Sequence, residues 1–164
     1  MTRAARTRTQ VFISYARKNS KWLERLKMHL NPLVRSEKLD PWDDTRIKAG
    51  EKWKLEIAKA LDGAKVAVLL VSPEFLASDF IATKELPRLL TAAKKEGLTI
   101  IWLYLSECAY KKTWLKHYQA AHDISRPLDG LTPSKRNAEL KRICEKIEKA
   151  ERAPARRPGI HRRA

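Results

Sequence analysis

Glu85 is the residue of this chain best placed to do chemistry. An apolar run, Val66 to Val71, stops abruptly at Ser72-Pro73, and a helical pattern follows after a short turn. With Ser78 as its cap, Ile81, Glu85 and Leu89 fall at i, i+4 and i+8, beside the apolar stripe of Ala82, Leu86, Leu90 and Ala93. The carboxylate therefore sits at the edge of the core, just beyond the carboxyl end of a buried strand. In open α/β sheets that is where ligands bind. A lone carboxylate there suits electrostatic work on a ligand.

Competing chemistries lack their residues. The turn after the first apolar segment, Ser14 to Asn19, contains no glycine, so the phosphate-cradling turn of a dinucleotide fold is missing, and there is no P-loop. A phospho-receiver would need paired acids after its first strand and an Asp ending the third, but the third ends Val71-Ser72-Pro73. No GxSxG elbow occurs. His29, His117, His122 and His161 show no ligand spacing, so no metal site is expected. Cys108 and Cys144 are too few for a disulfide framework or a CxxC site.

The elements that must position Glu85 follow from periodicity and punctuation. Val11 to Ser14 reads as a short buried strand. Asn19-Ser20 offers a cap, and Trp22, Leu23, Leu26 and Leu30 recur at helical spacing up to Asn31-Pro32. Leu39 to Trp42 suits a brief, Pro-limited strand away from the sheet centre. A polar loop, Asp43 to Gly50, leads to a helix with Trp53, Ile57 and Leu61 on one face, ended by Asp62-Gly63. Lys65 to Val71 is the strongest strand. The helix bearing Glu85 runs to about Glu96-Gly97, and Thr99 to Leu105 is another buried strand. Ser106 to Ile124 is irregular, with a short strand near His117 to Gln119. Thr132-Pro133 starts a last helix, reaching about Glu151. Alternating strands and helices predict a parallel sheet covered on both faces.

Composition sets outer bounds. At 164 residues, 43% hydrophobic and 33% charged, the chain suits one folded domain with a real core. Residues 1–9 read as a basic arm, 10–151 as the domain and 152–164 as a basic tail or linker start. The formal charge is +16, but half the excess lies in residues 1–10 and 152–164, which hold eight Arg and no acid. The rest is spread without an aromatic-basic stripe, so nucleic-acid binding beyond weak, salt-sensitive attraction is not expected. No apolar run approaches the roughly 18 residues that span a bilayer, and no secretory signal pattern opens the chain, so no membrane partner and a cytoplasmic location are expected.

Three motifs in order carry a family resemblance: Val11-Phe-Ile-Ser-Tyr15; Trp42-Asp43 with Ala49-Gly50 and Trp53; and Leu70-Val-Ser-Pro73 with Ser78 and Glu85. Over roughly Gln10 to Glu151 the chain resembles a TIR (Toll/interleukin-1 receptor) domain. The resemblance implies a flavodoxin-like three-layer α/β fold, with a five-stranded parallel sheet in the order 2-1-3-4-5 and helices on both faces. The loop after the second strand, Asp43 to Gly50, would be mobile.

Many members of that family cleave NAD between ribose and nicotinamide, and their essential glutamate matches Glu85. By position, Arg17, Asp43 and Trp53 would line the dinucleotide cleft. Tyr15 and Lys48 complete the implied substrate-binding set, although Lys48 stands where some members have an acid. Asp43 equally suits a turn-stabilising role, and Trp53 a place in the core. Active members often carry Trp four residues before the glutamate; here Ile81 stands there, next to Phe80. Two readings result: an NAD hydrolase or cyclase that uses NAD as substrate and no cofactor, acting as an immune or signalling effector; or a non-catalytic module binding other TIR domains. Self-association with other TIR domains is implied by both.

Overall fold

The computed structural model describes residues 10–36 and 38–154; the expected basic arm at 1–9 and most of the tail lie outside them. β3 (Ala64–Val71) is the centre of a parallel sheet, flanked by β1 (Gln10–Ser14) and β4 (Thr99–Tyr104), with β2 (Pro41–Trp42) at the edge beyond β1. β3 alternates between two cores. Val66, Val68 and Leu70 face α1 (Ser20–Arg35) and α5 (Pro133–Arg152), meeting Leu26, Leu30, Ile143 and Ile147. Ala67, Leu69 and Val71 face α2 (Trp53–Gly63) and α4 (Leu86–Lys95), meeting Ile57, Leu61 and Leu89. This is the expected three-layer arrangement. Among the described residues, no helix is long and apolar enough to cross a membrane.

The sheet has four strands in the order 2-1-3-4, not the five of the expected 2-1-3-4-5. Beside β4, where a fifth strand would lie, the chain makes a single parallel bridge, Trp102 to Ala120. Side chains do the ladder's work there. The Trp102 indole N–H donates to the Tyr118 carbonyl at 2.8 Å, and the Tyr104 amide donates to His122 Nε2 at 2.9 Å. Burial lowers the His122 pKa, in keeping with a neutral ring that accepts at Nε2. With those groups satisfied, the preceding chain folds into two 3₁₀ turns, Tyr110–Lys112 and Trp114–His117.

Helix boundaries depart from expectation at proline and at a cap. α1 passes through Pro32 to Arg35 instead of stopping there, because Leu33 packs against the core beyond it. Asn19 precedes α1 but makes no side-chain cap bond; its Oδ1 accepts from the Ser72 hydroxyl at 2.6 Å. Ser72 in turn caps α3 (Pro73–Ala77), accepting from the Phe75 amide at 3.0 Å. This buried link ties the ends of β1 and β3 together. Replacing Ser72 with alanine removes the cap and strands the Asn19 oxygen, so a loss of about 1–3 kcal/mol is expected in urea denaturation. A loss no larger than that of an exposed Ser→Ala change would show that the link does not hold the strand ends.

Candidate functional site

The carboxyl ends of β1, β2 and β3 open onto a cavity of about 420 Å³, lined by residues from the turn after β1, the loop after β2, α2, α3 and the segment before α4. That volume is in the range of small-molecule sites. Glu85 lines it while only 7% exposed.

Local backbone chemistry explains how an acid comes to be there. Ser78 begins the helical stretch as expected, its hydroxyl accepting from the Ile81 amide at 3.3 Å. From Ile81 to Glu85 the helix then widens into a π turn, with the Leu86 amide reaching back five residues to the Ile81 carbonyl. Pro87 follows and has no N–H to continue the regular ladder. The single expected helix is therefore a π segment followed by α4, and α3 occupies the short turn expected before it. The wide turn buries both Ile81 and Glu85, and π turns of this kind recur at functional sites.

Burial pushes the Glu85 carboxyl up to about 7, and the nearby Asp44 charge adds to the rise. The Ser14 hydroxyl lies close enough to oppose it, yet its oxygen makes no hydrogen bond of good geometry with protein groups. We take desolvation as the controlling cause. Glu85 thus exchanges its proton near neutrality, a perturbation of the kind that clusters at functional sites.

The other expected residues separate into two groups. Tyr15, Arg17 and Trp53 line the cavity with Glu85. The Tyr15 hydroxyl donates to Asp44 Oδ1 at 2.6 Å; burial and this bond together raise the phenol's pKa. Arg17 lies over the Trp53 ring, 6.0 Å from its centroid, and Trp53 packs on Phe80 at 4.5 Å. Phe80 thereby supplies an aromatic wall beside Ile81.

Asp43 and Lys48 do not line the cavity. Asp43 is 1% exposed and wholly engaged in holding its loop. Its Oδ1 accepts from the Thr45 amide at 2.9 Å and from the Thr45 hydroxyl, and its Oδ2 meets Lys27 Nζ of α1 at 3.1 Å. An Asx turn of this kind is the turn role the sequence allowed. Lys48 is exposed, its amide donating to Glu51 Oε1 at 2.6 Å ahead of Gly50, whose φ is +88°. The cleft acid of the loop is Asp44. Only the direction of the chain after β2 distinguishes the two adjacent acids, and no periodicity in the sequence reports it.

Sequence reasoning also passed over Lys18, Trp42 and Glu74, all cavity-lining. Glu74 opens the first turn of α3, and backbone N–H bonding holds its carboxyl below the usual range. Among the described residues no group of three or more His, Cys, Asp or Glu side chains is placed to hold a metal ion.

The TIR domain family's sequence profile matches residues 11–144, which include all of the cavity wall and the four described strands apart from Gln10. The chain belongs to the TIR domain family. In fold it is similar to the TIR domain of the Toll-related receptor TRR-2 from Hydra magnipapillata. That likeness has a TM-score of 0.51 and 18% identity, and covers 67% of this chain and 80% of that one. It is also 30% identical over 98 residues to the uncharacterized protein y4lF of Sinorhizobium fredii (strain NBRC 101917 / NGR234). The match takes in 60% of this chain and 30% of that protein, so the chain spans under a third of its relative's length.

Glu85 in this TIR domain should cost stability where it is charged. Its pKa rises on folding from 4.5 to about 7, so its favourable contribution is complete below pH 4.5 and is lost as pH rises through 7. Glu85→Gln is therefore expected to be more stable than wild type at pH 8, by about 1–3 kcal/mol. The gap should close towards pH 5. Urea denaturation at both pH values measures it, and a gap unchanged between them would contradict the burial argument.

Proposed function

We propose that this TIR domain cleaves NAD between ribose and nicotinamide, as a hydrolase or cyclase, and that it acts as a signalling or immune effector by consuming NAD. The observation that carries the proposal is Glu85: one carboxyl, buried, titrating near neutrality, facing a cavity with aromatic walls and a basic rim.

One carboxylate suffices for this bond. Ordinary glycosidases need a second acid to protonate the leaving oxygen. The nicotinamide of NAD is already cationic, so the electron pair of the C1′–N bond departs with it and it leaves neutral. What remains is an oxocarbenium-like ribose. Glu85 grips ribose hydroxyls and offsets that charge. Water attacking C1′ and losing its proton to solvent yields ADP-ribose, and attack by an adenine nitrogen yields a cyclic product. Arg17 meets the phosphates at the rim, while Trp53 and Phe80 face the bound ring. The loop from Asp43 to Gly50, anchored by buried Asp43 and exposed at Thr45, Arg46 and Lys48, is the surface offered for self-association with other TIR domains, which would complete the site.

Nicotinamide release, followed by chromatography at high protein concentration, tests the proposal. Glu85→Ala should lower turnover by about a hundredfold or more. Wild-type turnover should climb from pH 6 to pH 8 as Glu85 ionises through about 7. Equal turnover by wild type and variant would overturn the catalytic assignment of Glu85.

A further inference from the structure

Among the ion pairs of the described residues, one has a buried acid, and its cation comes from another layer of the fold. Asp43 Oδ2 lies 3.1 Å from Lys27 Nζ of α1. The same Nζ is 3.5 Å from the Thr45 hydroxyl. In every other such pair the acid is partly or fully exposed. A buried carboxylate needs its cation far more than an exposed one does.

The pair is joined to the cleft by a short run of hydrogen bonds. Asp43 Oδ1 accepts from the Thr45 amide at 2.9 Å and so caps the 3₁₀ turn Asp44–Arg46. The Arg46 amide closes that turn on the Asp43 carbonyl at 3.0 Å. Asp44 is the first residue of the turn, and its Oδ1 accepts from the Tyr15 hydroxyl at 2.6 Å, both residues lining the cavity. Without the ammonium, Asp43 is a buried charge with no partner, and turning out to water relieves it. The turn it caps then opens, and Asp44 leaves Tyr15.

We propose that Lys27, which does not line the cavity, is a positioning residue for it: paired with Asp43, it fixes the turn that holds Asp44 in the cleft. The inference rests on the NAD-cleaving reading and deepens it, because it makes α1 a control on the field in which Glu85 works. The charged groups that share the cavity with Glu85 are Arg17 and Lys18 of the turn after β1, Glu74 of α3, and Asp44. Asp44 is the one whose charge raises the Glu85 carboxyl. Displacing Asp44 therefore lowers the proton affinity of Glu85. Simple loss of a positive charge at Lys27 would act in the opposite direction.

Lys27→Met in the full chain keeps the aliphatic stem and removes the ammonium. Hydrogen exchange of the Thr45 amide should quicken about tenfold, with the β3 amides unchanged. The Glu85 carboxyl, followed by carbon NMR in labelled protein, should titrate at lower pH than in wild type. Lys27→Arg should keep wild-type behaviour in both measurements. Adding Asp43→Asn to Lys27→Met should restore both, since a neutral amide needs no cation and still accepts from Thr45. Unchanged Thr45 exchange, equal quickening in β3, a Glu85 midpoint that stays or rises, or a double variant no better than Lys27→Met overturns the inference. Should Lys27→Met not fold, a double variant with wild-type values supports the pair, and one that also fails overturns it. These readouts need no turnover, so a wild type that releases no nicotinamide would overturn the catalytic reading alone. Glu85-dependent release with a midpoint unmoved by Lys27→Met would overturn this one alone.

Discussion

Burial of β3 on both faces is the constraint from which the rest of the molecule follows. Val66 to Val71 are all at 0% exposure, so every side chain of that stretch needs a partner layer. The period-2 alternation of a strand sends three of them to α1 and α5 and three to α2 and α4. A parallel sheet also needs crossover helices, and these cover both faces. The strand must nonetheless end. Where it does, at Ser72-Pro73, the chain turns away from the layers and leaves a gap at the carboxyl edge. The cleft is the space left at that edge, and Ser72 bonded to Asn19 holds its two central walls together.

Placing a carboxyl group in that gap opposes the logic of the core. Glu85 is largely buried, so its charged form is disfavoured and its proton affinity rises. A second acid, Asp44, adds to this instead of relieving it. Among the described residues no cation pairs with Glu85, and the Ser14 hydroxyl lacks a good partner. A fold selected for stability alone would place Gln or Leu at this position. Holding an unpaired acid at the edge of the core is what gives the cleft its electrostatic character.

Much of this was legible before any coordinates. The strands at Val11 and Lys65, the capping roles of Ser78 and Thr132, the α2 face of Trp53, Ile57 and Leu61, and the edge position of Pro41-Trp42 all rest on local rules of spacing and punctuation. Departures arose where a distant group overrode a local signal. Pro32 did not end α1 because Leu33 has a core to pack against. The fifth strand shrank to one bridge because His122 and the Trp102 indole satisfy the groups that a strand would have paired. Asp43 took its turn role and Asp44 lines the cleft because Lys27, sixteen residues upstream on another element, claims the first of them.

The sequence by itself determined the layered α/β fold, the family, and the presence of one acid just past the end of its most buried strand. Those depend on hydrophobic period and turn chemistry, which act over a few residues. Only the tertiary structure decided what surrounds that acid: a π turn before Pro87 that buries it, Phe80 in contact with Trp53, Asp44 held by Tyr15, and Arg17 resting on an indole face. The last three of these join elements far apart in the chain. Desolvation and Coulomb interaction depend on where groups meet in space, and spacing along the chain does not report that.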